Sequence, residues 1–200
     1  MPVGDLTPNN YLEGGTDGTK IGNVGDRLKV QQSMLVPIHS HHTIMIELGR
    51  SFSVDHISTV NAGSYHQHVL TTPNSNRLCY LTLFATTSEE AEISIYEVPT
   101  VTLGASLASE VINQNRNSSN VATSTLHDVT TVTAVGALIS QYRLSMGSGK
   151  GNNPALGQDS SVLILKKNTQ YLLRWKSLTN GNVMSTSTRF FEYDESVDNV

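Results

Sequence analysis

The chain of 200 residues is short of three things: cysteine, charge and aromatic rings. Its single cysteine, Cys79, permits no internal disulfide, so nothing marks an oxidising compartment. Cys79 stands in the apolar run Leu78-Cys79-Tyr80-Leu81 and reads as a buried core thiol. Charged residues make up 15%, against a typical ~25%. The net charge is -4, the pI is about 5.9 and the 13 Lys and Arg are scattered, so no positive field exists to attract nucleic acid. Aromatics at 6% leave few rings for a carbohydrate platform. The start shows no charged and apolar export signal, and no apolar run approaches the ~20 residues of a membrane span, so neither export nor membrane insertion is expected.

Uncharged polar residues take the place of the missing charges. Ser, Thr and Asn together come to roughly 30% of the chain, with hydrophobic residues at 38%. A helical bundle or coiled coil leans on Ala, Glu, Lys, Leu and Arg, so this mixture points instead to short strands joined by turns. Collagen, a disulfide scaffold and a wholly disordered chain are excluded by the same composition, and the length suits one domain.

Residues 1–26 are rich in Gly, Asn, Thr and Pro with almost no apolar periodicity, which predicts an extended arm. The arm is taken to residue 42, through Pro37 and the run His39-Ser40-His41-His42, with a β-sandwich over 43–195 and a tail at 196–200. Thr43 to Leu48 alternates apolar residues and predicts a first half-buried strand. Further strands are expected at Phe52–Val60, Tyr65–Leu70, Leu78–Ala85, Ile93–Val98, Ala122–Leu126, Val129–Val135, Ile139–Leu144, Ser161–Leu165, Tyr171–Ser177 and Ser185–Phe191. Only Ala105–Asn113 looks helical. Strands without long intervening helices pair antiparallel, giving an all-β sandwich or barrel.

Two segments echo each other. Tyr80-Leu81 opens a predicted hairpin that closes with Tyr96-Glu97, and Tyr171-Leu172 opens one that closes with Phe191-Glu192, as in the two halves of a jelly-roll. The Gly/Asn-rich stretches 113–120 and 146–154 are expected to be long surface loops, where contacts to partners usually sit.

Among candidate sites, His66 and His68 lie two apart on a predicted strand, so both imidazoles face one side and could chelate a metal. The pair resembles the His-x-His of cupins. The cupin Glu that should follow is missing, and His127, the only later histidine, lacks the second cupin motif. The pair therefore reads as edge or interface histidines, with no metal and no cofactor expected. Asp55 beside His56 could form part of a triad, but no serine is singled out as nucleophile. There is no Gly-x-Ser-x-Gly, His-Glu-x-x-His or phosphate loop, so no enzyme is expected. Tyr171, Leu173 and Trp175 share one strand face as core or interface anchors, with Leu172 and Arg174 on the other.

A family resemblance sits on several short motifs. The arm Gly18-Thr19-Lys20-Ile21-Gly22-Asn23-Val24-Gly25-Asp26-Arg27-Leu28-Lys29-Val30 resembles the start of virion structural proteins of tailed bacteriophages. Tyr96-Glu97-Val98-Pro99-Thr100, Asn113-Gln114-Asn115-Arg116, Lys167–Arg174 and Phe191-Glu192-Tyr193 are similar to that group in the same order. The resemblance implies an antiparallel β-sandwich of jelly-roll type with an extended N-terminal arm and no enzymatic activity. It implies a capsid decoration or cement protein, commonly a homotrimer, on the virion surface after assembly in the host cytoplasm. Its partners would be the major capsid protein or other virion proteins and further copies of itself, with no nucleic acid or membrane. Contacts to capsid or neighbouring subunits are expected at Ile21, Val24, Asp26, Arg27, Leu28 and Arg116. The alternative is a tail-associated receptor- or glycan-binding protein using the two polar loops.

Overall fold

The computed structural model describes residues 12–13, 20–21, 41–144, 155–158 and 162–194. The chain divides into two compact units, Met1–Ile44 and Met45–Val200. In the first, β1 (Leu12–Glu13) pairs antiparallel with β2 (Lys20–Ile21). The predicted loop at 146–154 and the tail at 196–200 lie outside the described residues.

The second unit is an all-β sandwich of two antiparallel sheets. Its strands are β3 (Ser51–Val60), β4 (Tyr65–Thr71), β5 (Arg77–Thr87), β6 (Ala91–Glu97), β7 (Thr100–Ser106), β8 (Ile112–Asn113), β9 (Thr125–Ala134), β10 (Ala137–Leu144), β11 (Ala155–Gln158), β12 (Leu163–Leu165), β13 (Gln170–Ser177) and β14 (Asn182–Asp194). One sheet has the order β10-β6-β13-β4-β9-β7 and the other β11-β5-β14-β3-β8, with β12 also on β5. From β3 to β6 each strand enters the sheet opposite the last, and β12, β13 and β14 alternate in the same way.

The core forms because these strands alternate. Along β5, Cys79, Leu81, Leu83 and Ala85 are buried, and along β14 so are Met184, Thr186, Thr188 and Phe190. They meet Ile93 and Ile95 of β6 and Tyr171, Leu173 and Trp175 of β13 in one cluster. Phe52 stacks on Phe190 with ring centroids 5.6 Å apart. Each such side chain contributes about 1.5–3 kcal/mol on burial. Where the chain crosses between sheets, Asn182 closes a corner: its Oδ1 accepts from the Glu89 amide at 3.0 Å and its Nδ2 donates to the Glu90 carbonyl at 3.1 Å.

Several expectations need correction. Thr43–Leu48 is not a strand; His41–Glu47 forms a helix, α1. An alternating strand would bury Ile44, Ile46 and Leu48, whereas Met45 is buried and Ile44 and Leu48 are exposed. The helix ends at Gly49, whose φ of 66° suits a residue without Cβ. There Gly49 N–H donates to Ile46 and Arg50 N–H to Met45, the paired bonds of a Schellman cap. Ala105–Asn113 is not helical: it holds the end of β7, a turn and β8. The two predicted hairpins are corners instead. Strand β5 pairs with β14 and β6 with β13, so Cys79 lies opposite Glu192 and Tyr171 opposite Glu97.

Strand β7 escaped the periodicity and completes a long ribbon. Residues 91–106 run antiparallel to 127–144, first as β6 with β10 and then as β7 with β9. The ribbon turns at Val98-Pro99 against Val135-Gly136. Its β6 half lies beside β13, while the start of β9, Thr125–Asp128, pairs with the far side of β4. The ribbon therefore straps from one edge of its sheet to the other. The facing sheet occupies the inner side, which leaves the outer side for the crossing. Val69 and Leu172 alternate with core residues and so point outward, yet both are fully buried.

The turn holds two unusual backbones. Gly136 has φ 84°, and a Cβ there would strike the Glu97 and Val98 backbone. Opposite it, Val98 is held at φ 56°, a strained conformation for a β-branched residue. Gly136→Ala is expected to cost about 1–3 kcal/mol. Val98→Gly should instead raise stability by about 0.5–1 kcal/mol, the relief of strain exceeding the added chain entropy. Urea unfolding reads both, and equal midpoints for all three chains would contradict this account of the turn.

Candidate functional site

Three histidines meet between the sheets. Adjacent strands β3 and β4 belong to opposite sheets, and their inward positions bring His56 of β3 to His66 and His68 of β4. The His66 and His68 Nε2 atoms are 2.8 Å apart, one donating and the other accepting. His56 lies flat against His66 with centroids 4.5 Å apart and edge-on to His68 at 6.1 Å. Trp175 closes the group at 5.5 Å from His66 and 5.8 Å from His68. Asp128 Oδ1, arriving on β9, stands 3.3 Å from His68 Nδ1 but off the line of a hydrogen bond. Its negative charge favours a proton on Nδ1, which leaves the His68 Nε2 to accept from His66.

This geometry keeps the His66 and His68 imidazoles neutral. His66 is held down to about 3, by burial first and then by His68 and His56, with Asp128 opposing. His68 is held down to about 4 by burial and His56. Two nitrogens converge, as the strand spacing predicts, but the third ring stacks instead of pointing at the same spot. Among the described residues no group of three or more His, Cys, Asp and Glu is placed to hold a metal ion. His56 itself was missed as a partner because the sequence spacing between β3 and β4 does not reveal that they face each other. Asp55 is exposed and on the opposite strand face from His56, so the two cannot act as a dyad.

A second polar centre is Glu192, 1% exposed on β14. Its carboxylate accepts from the amides of Thr123 and Ser124, at 2.9 Å and 2.6 Å, and from the Thr123 hydroxyl at 2.6 Å. Arg77 Nη1 approaches its Oε2 at 3.4 Å. One side chain thus fastens the segment before β9 to the sandwich. Its counterpart Glu97 accepts from Lys166 Nζ at 2.6 Å and from the Tyr171 hydroxyl at 3.1 Å, and the Lys166 contact holds it below the usual carboxylate range. Cys79 is buried and its thiol is pushed up to about 12 by burial.

The loop 113–120 is an internal brace more than a free surface. Asn115 Nδ2 donates to the Glu47 carbonyl, Asn120 Nδ2 to Leu48 and Asn113 Nδ2 to Gly49, satisfying carbonyls at the end of α1. Arg116, Asn117 and Ser119 remain exposed. Arg116 also lines a cavity of about 500 Å³ with Phe52, Val111, Asn120 and Leu126. Of the other expected contact residues, Ile21 lies in β2, and Val24, Asp26, Arg27 and Leu28 lie outside the described residues. Compared with protein-family models, curated proteins and solved structures, the chain matches none.

Acid should weaken this fold through the histidines. Both folded values lie below the ~6.5 of the unfolded chain, so on acidification the unfolded chain takes up protons first. The histidine contribution is complete above about pH 7, falls as pH drops below 6.5, and levels off near pH 3. Between pH 6 and 4.5, His68→Gln should flatten the stability slope by up to about 1.4 kcal/mol per pH unit; an unchanged slope in denaturant titrations would count against the buried neutral pair. Glu192→Ala should cost about 2–4 kcal/mol at neutral pH, since two amides lose their acceptor. A loss under 1 kcal/mol by calorimetry would show that water replaces the carboxylate.

Proposed function

We propose that this chain is a non-enzymatic virion structural protein, a capsid decoration or cement protein that binds an assembled shell as a homotrimer. One observation carries the structural over the catalytic reading: the chemistry-bearing side chains are engaged within the fold. His56, His66 and His68 contact one another, Glu192 and Glu97 hold neighbouring segments, and Cys79 is enclosed. The resemblance of the arm and later motifs to tailed-phage virion proteins supplies the particle. An arm that orders on binding can wrap a large surface, and repeated weak contacts on a lattice sum to firm attachment.

The strand order also supports a jelly-roll type of sandwich. The sets β3-β14-β5-β12 and β4-β13-β6-β10 interleave early and late strands in the same way, as two Greek keys do. The exposed Arg116 beside the 500 Å³ cavity favours the second reading, a tail-associated receptor- or glycan-binding protein.

Removing residues 1–26 should abolish or strongly reduce incorporation into particles while leaving the sandwich folded. Undiminished incorporation would overturn the arm's role. Binding of the isolated full chain to host cells, with none to particles, would replace the decoration reading by the receptor-binding one.

A further inference from the structure

All of β7 and the middle of the strap, between Asp128 of β9 and Arg143 of β10, differ in chemistry from the rest of the chain. Residues 98–109 and 129–142 contain no charged side chain, although charged residues are 15% overall. At that frequency these 26 positions would carry about four charges. In their place stand Thr, Ser, Ala and aliphatic residues, and several of the aliphatic ones are exposed: Val98 is 66% accessible, Leu138 50%, Ile139 40% and Leu103 38%. Both edges of the bend contribute, since Val98 lies opposite Gly136 and Leu138 follows two residues later.

Strand β7 also ends its sheet. Among the described residues no strand pairs with it on the side away from β9. Exposed edges are usually guarded by Lys or Pro within the strand. Thr100-Val101-Thr102-Leu103-Gly104-Ala105-Ser106 has neither, and only the three register shifts against β9 interrupt its edge.

We propose that this strap is the surface through which copies of this chain associate with one another, through the open edge of β7 and the apolar side chains beside it. Charge selects the partner. The chain carries -4 overall, so two copies repel on average, and the uncharged middle of the strap is where they can approach without opposing charges. A basic or acidic partner would find no counter-charge there. A second strap meets the same neutral, aliphatic surface, and the edge of β7 offers N–H and C=O groups to a neighbouring copy. Depletion of charge is also the compositional mark of interface cores. The inference does not need a particle, and it would stand if the virion reading failed.

Light scattering on the full chain at tens of micromolar should give a multiple of 21.7 kDa. That mass should persist from about 0.1 M to about 1 M salt, because apolar contacts are not screened. The pair Leu103→Lys and Leu138→Lys should bring the mass to 21.7 kDa with an unchanged circular dichroism spectrum. Ile57→Lys, at an exposed site on β3, should leave the oligomer intact. Because Cys79 is buried, Thr102→Cys places one accessible thiol on the strap, and a bismaleimide should join two copies through it but not through Ile57→Cys. This second assay decides the matter if the double lysine variant fails to fold. A wild-type mass of 21.7 kDa throughout, or cross-linking at position 57 and none at 102, would overturn the proposal.

Discussion

Everything in the sandwich depends on strands β13 and β14 entering the middle of their sheets. Strand β13 lies between β6 and β4, and β14 between β5 and β3. The largest buried rings, Trp175, Tyr171 and Phe190, arrive with them. Until residues 170–194 are in place, β3 and β5 have no common neighbour and neither do β4 and β6. The two hydrophobic faces therefore close together. Such pairing spans more than 100 residues, as with Val60 and Asn182, so loop closure precedes most of the gain from packing. The same arrangement makes Glu192 effective: a carboxylate on a central strand can hold a distant segment without itself moving.

The period-2 pattern made the fold class legible, because β5 alternates along most of its length and β13 and β14 alternate outside the runs Tyr171-Leu172-Leu173 and Phe190-Phe191-Glu192, which are buried throughout. Topology was less accessible. Tyr80 to Glu97 looks like a hairpin since a short polar stretch joins two strands, and nothing in that stretch says that the strands enter opposite sheets. Thr43–Leu48 shows the ambiguity of short apolar runs. Gly49 just beyond it was the available signal for a helix end. Strand β7 was obscured by Pro99 before it and Gly104 within it, both weak strand formers. At the candidate site, the His66/His68 spacing was readable and the approach of His56 was not, because that depends on how the sheets face.

Several ionisable groups serve inside the fold. Histidines that could change charge are packed against Trp175, and the carboxylates with most contacts serve as internal fasteners. Even the asparagine-rich loop uses three of its amides to satisfy carbonyls near the end of α1.

The strap is anchored at both ends, by the pairing of β10 with β6 and β6 with β13 and by that of β9 with β4. It cannot swing away as a free finger without breaking ladder hydrogen bonds, and the Val98–Gly136 turn fixes its course between the anchors. Its aliphatic side chains are thus displayed on a backbone whose freedom was already lost when the chain folded. Whatever docks on it meets a rigid surface, so association forfeits little further backbone entropy, and modest contact area can yield a long-lived complex.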